Sequence, residues 1–161
     1  MKTEQLQIRL TPSQKASLRR RARLAGQDVS TYVLSRVAPA AGGRFEEILG
    51  ALPRSGERRF ALAELNDLLA DLAPGEFAEL PGGPRIDALD PGMRNRVAAM
   101  VEQAAALAGS APPAWTAAVA PLEAPVFASG LKSLRVHLLR ASPVPFRRRN
   151  LFVDSSIGDR A

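Results

Sequence analysis

The sequence predicts a mainly α protein with one short N-terminal strand, and three observations carry that expectation. Aromatic residues make up only 5% of the chain against a hydrophobic fraction of 46%, so Ala and Leu must fill the core, which suits helices better than sheets. Apolar residues recur at helical spacing in several segments from residue 12 onward. Only residues 4–10 alternate with a period of two, with polar Gln5, Gln7 and Arg9 between Leu6, Ile8 and Leu10. At 161 residues, the chain has room for one ordinary domain, or for a small module followed by a second domain.

The elements follow in order. Residues 4–10 read as a strand that needs a partner, because an isolated strand is unstable in water. At the first helix start, Thr11 is suited to cap, Pro12 to the first helical position and Gln14 to the third position of a capping box. That helix runs to about Ala25, with Leu18, Ala22 and Ala25 on one face, and Gly26 ends it. A second helix starts at residues 29–31, capped by Ser30, with Val33 and Val37 inward, and stops near Pro39. Residues 1–38 form the first module, and the small-residue stretch 39–43 reads as a linker. Within 44–110, residues 44–52 form a short amphipathic helix, and 57–72 a second one with Phe60, Leu65, Leu68, Leu69 and Leu72 at helical spacing. Residues 74–80 add a turn, 80–90 a loop, and 91–109 a strong helix closed by Gly109. Residues 111–161 form a Pro-interrupted tail with one more helix at 130–141 and a frayed end at 155–161.

Charge divides the chain more sharply than its total of +6 suggests. Residues 1–38 hold eight basic and two acidic side chains, 39–123 hold seven and twelve, and 124–161 hold seven and two. Two basic ends around an acidic middle point to polyanion binding, or to the tail docking on an acidic surface. Cysteine is absent, which excludes disulfides and thiolate metal sites and suits a reducing cytosol. The N-terminus has no signal-peptide pattern, and no apolar run approaches the ~20 residues of a membrane span. A soluble, cytoplasmic protein is expected. Catalysis, a metal site and a cofactor are not: His137 is the lone histidine, PGGP at 81–84 lacks the lysine of a phosphate cradle, and no nucleophile elbow or zinc motif occurs.

The first module is too small to bury a core by itself. Two copies solve this by aligning their strands antiparallel, so that Leu6, Ile8 and Leu10 face a shared core. Gln5, Gln7 and Arg9 from both chains then line the other face of a two-stranded ribbon. Such a ribbon enters the major groove, where Arg pairs with guanine and Gln with adenine. The polar-x-polar-x-Arg strand, the LTP transition, the AG that closes the first helix and DVSTYV at the second resemble the ribbon–helix–helix DNA-binding proteins of the Arc and MetJ kind. The resemblance covers residues 3–38. It implies base contacts by Gln5, Gln7 and Arg9, and a DNA phosphate held by the amides of Val29, Ser30 and Thr31. A helix N-terminus favours an anion on independent grounds. Lys15 and Arg19 are candidates for further phosphate contacts, and the rest of the arginine run reads as solvated.

The cadence of residues 9–34 also resembles antitoxins of this class, which repress their own operon and neutralise a toxin through a C-terminal region. The tail 113–154 resembles that of bacterial regulators encoded beside nucleotidyltransferase-like proteins, implying a toxin of that kind. In physical terms, a Pro-broken, mostly extended segment with large apolar anchors and an Arg cluster suits partner wrapping. Trp115, Phe127, Phe146, Arg147, Arg148, Arg149 and Phe152 are the partner-binding candidates. The competing expectation folds these aromatics back onto the 44–109 helices, with the arginines meeting their own acidic middle. The expected function is an operator-binding, homodimeric antitoxin. A repressor or plasmid-mobilisation accessory protein without a toxin, and a helical protein- or RNA-binding adaptor, stand as alternatives.

Overall fold

The computed structural model describes residues 9–26, 28–30, 32–33 and 41–154. The chain divides into two compact units, Met1–Ala40 and Ala41–Ala161. The described residues are mainly helical, with a single two-stranded parallel sheet.

In unit 1, helix α1 spans Pro12–Leu24. Its start is the expected capping box: the Thr11 amide donates to Gln14 Oε1 (2.9 Å), and the Gln14 amide donates to Thr11 Oγ1 (3.3 Å). Pro12 occupies a position whose N–H would have no helical partner. Gly26 leaves the helix at φ 67°, a left-handed conformation that a side chain would strain. Ala22 is buried and Leu18 half-buried, but Ala25 is exposed. The next helical turn begins at Val29, one residue before the expected cap. Asp28 is the cap, its Oδ1 accepting from the Ser30 amide at 2.8 Å while its carbonyl accepts from Tyr32 N–H. A carboxylate serves here because it accepts strongly and favours the positive end of the helix dipole. Residues 4–8 of the strand expected over 4–10, its pairing with a second copy, Thr31 and Val37 lie outside the described residues. Arg9 and Leu10 are described and exposed.

Unit 2 opens with α2, Ala41–Ala51, which starts inside the stretch expected to be a linker. Its GG pair is helical because the downstream apolar stripe of Phe45, Ile48, Leu49 and Leu52 packs tightly enough to extend the helix upstream. Helix α3, Arg58–Asp71, packs on α2 through Ala61, Leu65 and Leu69. This i, i+4 stripe turns Phe60 outward, 75% exposed, contrary to its expected core position. A 3₁₀ segment at Pro74–Glu79 buries Phe77. The expected loop at 80–90 contains a one-turn helix, α4 (Pro84–Asp87), which buries Ile86.

Helix α5, Pro91–Leu107, is the centre of the unit. Asp90 caps it by accepting from the Met93 amide at 2.9 Å. The run Val97, Ala98, Ala99, Met100 and Val101 is buried without a break, so this part of the helix is covered on all sides. The covering comes from α3 on one side and, on others, from the short helices α6 (Trp115–Ala118) and α8 (Val144–Arg147). Between those two lie β1 (Val126–Phe127), a 3₁₀ turn (Lys132–Leu134) and α7 (Arg135–Ala141). The single helix expected at 130–141 is therefore shorter and is preceded by a tighter turn. After α8, strand β2 (Leu151–Phe152) pairs parallel with β1, Val126 opposite Leu151 and Phe127 opposite Phe152.

The tail is accordingly not an extended arm. Its prolines break it into short pieces that fold back over α5, and residues 111–154 complete the core begun by α2 to α5. Phe146 and Leu151 belong to the same apolar cluster as Phe45, Leu65 and Val97. The backbone lies tight against a ring at Gly82, where a Cβ would stand 2.7 Å from the Cβ of Trp115. The indole Nε1 of Trp115 is tied to Leu80 O at 3.1 Å, so the ring cannot retreat without losing that bond. Gly82→Ala is expected to lower stability by about 1–3 kcal/mol in urea unfolding, and an unchanged midpoint would contradict this packing.

Candidate nucleic-acid interface and the buried tail cluster

The described basic residues of unit 1 are presented by α1 and the segment before it. Arg9, Lys15, Arg19, Arg20, Arg21 and Arg23 are all exposed. Lys15 and Arg19 are four residues apart on a helix and so share a face, able to meet one phosphate backbone together. Val29 is half-buried and Ser30 exposed at the start of the following turn. The Ser30 amide already donates to Asp28 Oδ1, so a phosphate bound there would have to displace or share that bond. Gln5, Gln7 and Thr31 lie outside the described residues.

In unit 2 the structure separates the seven expected partner-binding residues into two groups. Arg147 and Arg148 are exposed. The other five are held by contacts within the unit, with Phe146, Arg149 and Phe152 buried and Trp115 and Phe127 half-buried. Phe146 is fully buried in the core and Phe152 nearly so. Trp115 bonds to Leu80 O and lies tilted against Phe45, ring centroids 6.2 Å apart. Phe127 stacks on Phe152 at 4.9 Å, with the Arg135 guanidinium 5.1 Å from its ring centre. Trp115 and Phe146 pack on the core formed by the 44–109 helices while Arg147 and Arg148 stay exposed: large apolar side chains lose less by completing their own core than by waiting in water.

Arg149, 5% exposed, has the most hydrogen-bond partners of the five. Its Nη2 donates to Glu102 Oε1 (2.6 Å) and to Thr116 O (2.7 Å), and its Nη1 to Val119 O (3.1 Å) and Asn95 Oδ1 (3.3 Å). Asn95, itself buried, uses its amide to donate to Pro91 O and Ala120 O, both at 3.0 Å. A buried guanidinium needs a counter-charge and acceptors for its fork of donors, and here α5 supplies the carboxylate while the 116–120 backbone supplies carbonyls. Asn150 follows with φ 56°, a conformation Asn tolerates better than most residues. Its Nδ2 donates to Leu122 O at 2.6 Å, and its carbonyl accepts from Val126 N–H at 2.8 Å, which starts the parallel pair. Ser142, also buried, accepts from Val153 N–H at 2.8 Å and ties the end of α7 to the chain beyond β2.

Sequence reasoning assigned no role to Asn95, Glu102, Ser142 or Asn150. A signal existed for Glu102, a single acid in the otherwise uncharged run 97–108, where a carboxylate needs a partner. Burial also lowers the pKa of Arg96, which flanks this cluster on α5, from the usual guanidinium value. Among the described residues, no group of three His, Cys, Asp or Glu side chains could hold a metal ion, and no helix is long and apolar enough to cross a membrane.

No family model matches this chain, and no curated protein or solved structure does either. Its function has to be read from its own residues. For the buried cluster, Arg149→Ala is expected to destabilise unit 2 by about 2–4 kcal/mol, somewhat below a fully dry pair because Glu102 keeps a path to water. Arg147→Ala, at an exposed site, should stay within about 0.5 kcal/mol of the parent. Equal unfolding midpoints for the two variants would show that the cluster does not hold the tail.

Proposed function

We propose that the protein is a homodimeric ribbon–helix–helix DNA-binding protein that represses its own operon and acts as the antitoxin of a toxin–antitoxin pair. The observation that carries the first half is the incompleteness of unit 1. Among its described residues only Ala22 is buried, while Leu10 is 43% and Leu24 83% exposed. A module this size that leaves leucines in water needs a second copy to bury them, which is the condition for Gln5, Gln7 and Arg9 to form one face of a two-stranded ribbon. The capped α1, the Gly26 turn and the Asp28-capped turn after it supply the helix–turn–helix part that such a ribbon requires. In this reading Gln5, Gln7 and Arg9 contact base edges, Lys15 and Arg19 contact the phosphate backbone, and a phosphate sits at the amides of residues 29–31.

The toxin half rests on the resemblance of the N-terminal cadence and the tail, and on a second compact unit that DNA binding alone does not need. The burial of Phe146, Arg149 and Phe152 favours a second reading, in which unit 2 is a structural or oligomerising domain of a repressor without a toxin. The two readings separate on the neighbouring gene. Antitoxin function requires that its product arrest growth when expressed alone and that this protein relieve the arrest.

Two measurements test the DNA half. Arg9→Ala should weaken binding to the operator upstream of its own gene by about tenfold to a hundredfold, the 1–3 kcal/mol of one bidentate base contact, while sedimentation still gives a dimer. An unchanged footprint would remove Arg9 from the site. Lys15→Ala should instead weaken specific and random DNA alike and flatten the dependence of log K on log salt by about one unit; loss of sequence preference alone would contradict a phosphate role.

A further inference from the structure

The face of unit 2 built around α7 is the part of the fold that its own core does not explain. Leu138 is buried and anchors the helix. At 3.6 residues per turn, Val136 and Arg140 point about 160° away from Leu138, and Leu139 about 100° away. Val136 is 60% exposed and Leu139 44%; Leu131, Leu134 and Val144, just before and after the helix, are also exposed. Single exposed aliphatics are ordinary, but five within fourteen residues of chain, with Val136 and Leu139 about 60° apart on one helix, are a concentration of them.

Charge identifies what the patch would take. Between Glu123 and Asp154 the sequence contains no acidic residue. Lys132, Arg135, Arg140, Arg147 and Arg148 are exposed in this interval, Arg149 is neutralised by Glu102, and one carboxylate, Asp154, reaches α7 at His137 (3.8 Å). A second copy docking through the same face about a two-fold axis would oppose cations with cations. Nucleic-acid interfaces are polar and strongly charged, and would leave the aliphatic side chains unused. Helices that lie on membranes carry Trp, Phe and Leu on the apolar face, and of these three the present one exposes Leu alone. The remaining chemistry is a protein segment with an apolar stripe bordered by carboxylates, which would bury Leu131, Val136 and Leu139 and pair with the surrounding cations.

We infer that the 131–144 face is a docking surface for an acidic amphipathic helix of a partner protein. The inference rests on the reading of unit 2 as the partner-binding half only for the partner's identity as a toxin. The test uses the full chain and a synthetic helical peptide of about five turns, with Leu on one face and Glu beside it, titrated by fluorescence anisotropy. The parent protein is expected to bind this peptide. A Leu131→Ser, Val136→Ser, Leu139→Ser variant and a Lys132→Glu, Arg140→Glu variant are each expected to bind it about tenfold more weakly or worse, although the arginines of unit 1 are intact in both. A peptide of the same composition, scrambled to remove the apolar face, should bind the parent no better than the variants bind the original.

Equal affinity for all three proteins overturns the inference, as does equal binding of the scrambled peptide. It is also overturned if phosphatidylglycerol vesicles or duplex DNA bind the parent and the Ser variant loses that binding instead. Circular dichroism melts should match the parent, since all five substituted positions are exposed; if the triple variant melts early, Val136→Ser and Lys132→Glu singly serve for the same comparison. Because no toxin enters the titration, peptide binding without relief of growth arrest would defeat the antitoxin reading alone. Relief of arrest by both variants, with no peptide binding, would defeat the docking face alone.

Discussion

The fold of the second unit depends on one buried charge, the Arg149 guanidinium set against Glu102. Burying an ion pair is unfavourable unless its donors find acceptors, and here α5, α6 and the loop after it supply them to both Nη atoms, while the buried Nε has none. Asn95 holds the 120 carbonyl and an Arg149 donor at the same time, so the helix, the loop and the tail are fixed by one connected set of bonds. Apolar contacts alone would let a chain of short, Pro-broken segments slide over α5. The directional bonds of Arg149 select one position, and the left-handed turn at Asn150 then sends the chain into the strand pair with β1.

That constraint divides the tail's arginines between two jobs. Arg149 faces inward and is neutralised, whereas Arg147 and Arg148, on the turn that carries it, remain in water with Lys132, Arg135 and Arg140. Folding the tail thus hides one of its cations and leaves five exposed, with Asp154 against His137 as the carboxylate beside α7. The stacked Phe127–Phe152 pair, capped by Arg135, holds the start of this face against the strand pair. A rigid base of this kind reduces the ordering that a partner would have to impose on binding.

Unit 1 follows a different logic. Its start and stop signals are local and complete, with a capping box at Thr11, a left-handed glycine at 26 and an Asx cap at 28. Its hydrophobic burial is not complete, since leucines at both ends of the described α1 segment remain in water. Local propensity can shape such a module, but helices of this length draw most of their stability from packing on an apolar face.

The sequence by itself determined the helical class, the break near residue 40 and the positions of α1, α3 and α5, because capping residues, glycines and apolar spacing act over a few residues. It also announced the charge asymmetry. The side each aromatic would take was not legible in it. Phe60 at good helical spacing points to water, while Phe146 between arginines is fully buried. Burial depends on which distant surfaces remain uncovered once α2, α3 and α5 have packed, and that is a property of the assembled core. The roles of Asn95, Glu102 and Asn150 were hidden for the same reason: each bonds to groups more than 20 residues away, where no local periodicity carries a signal.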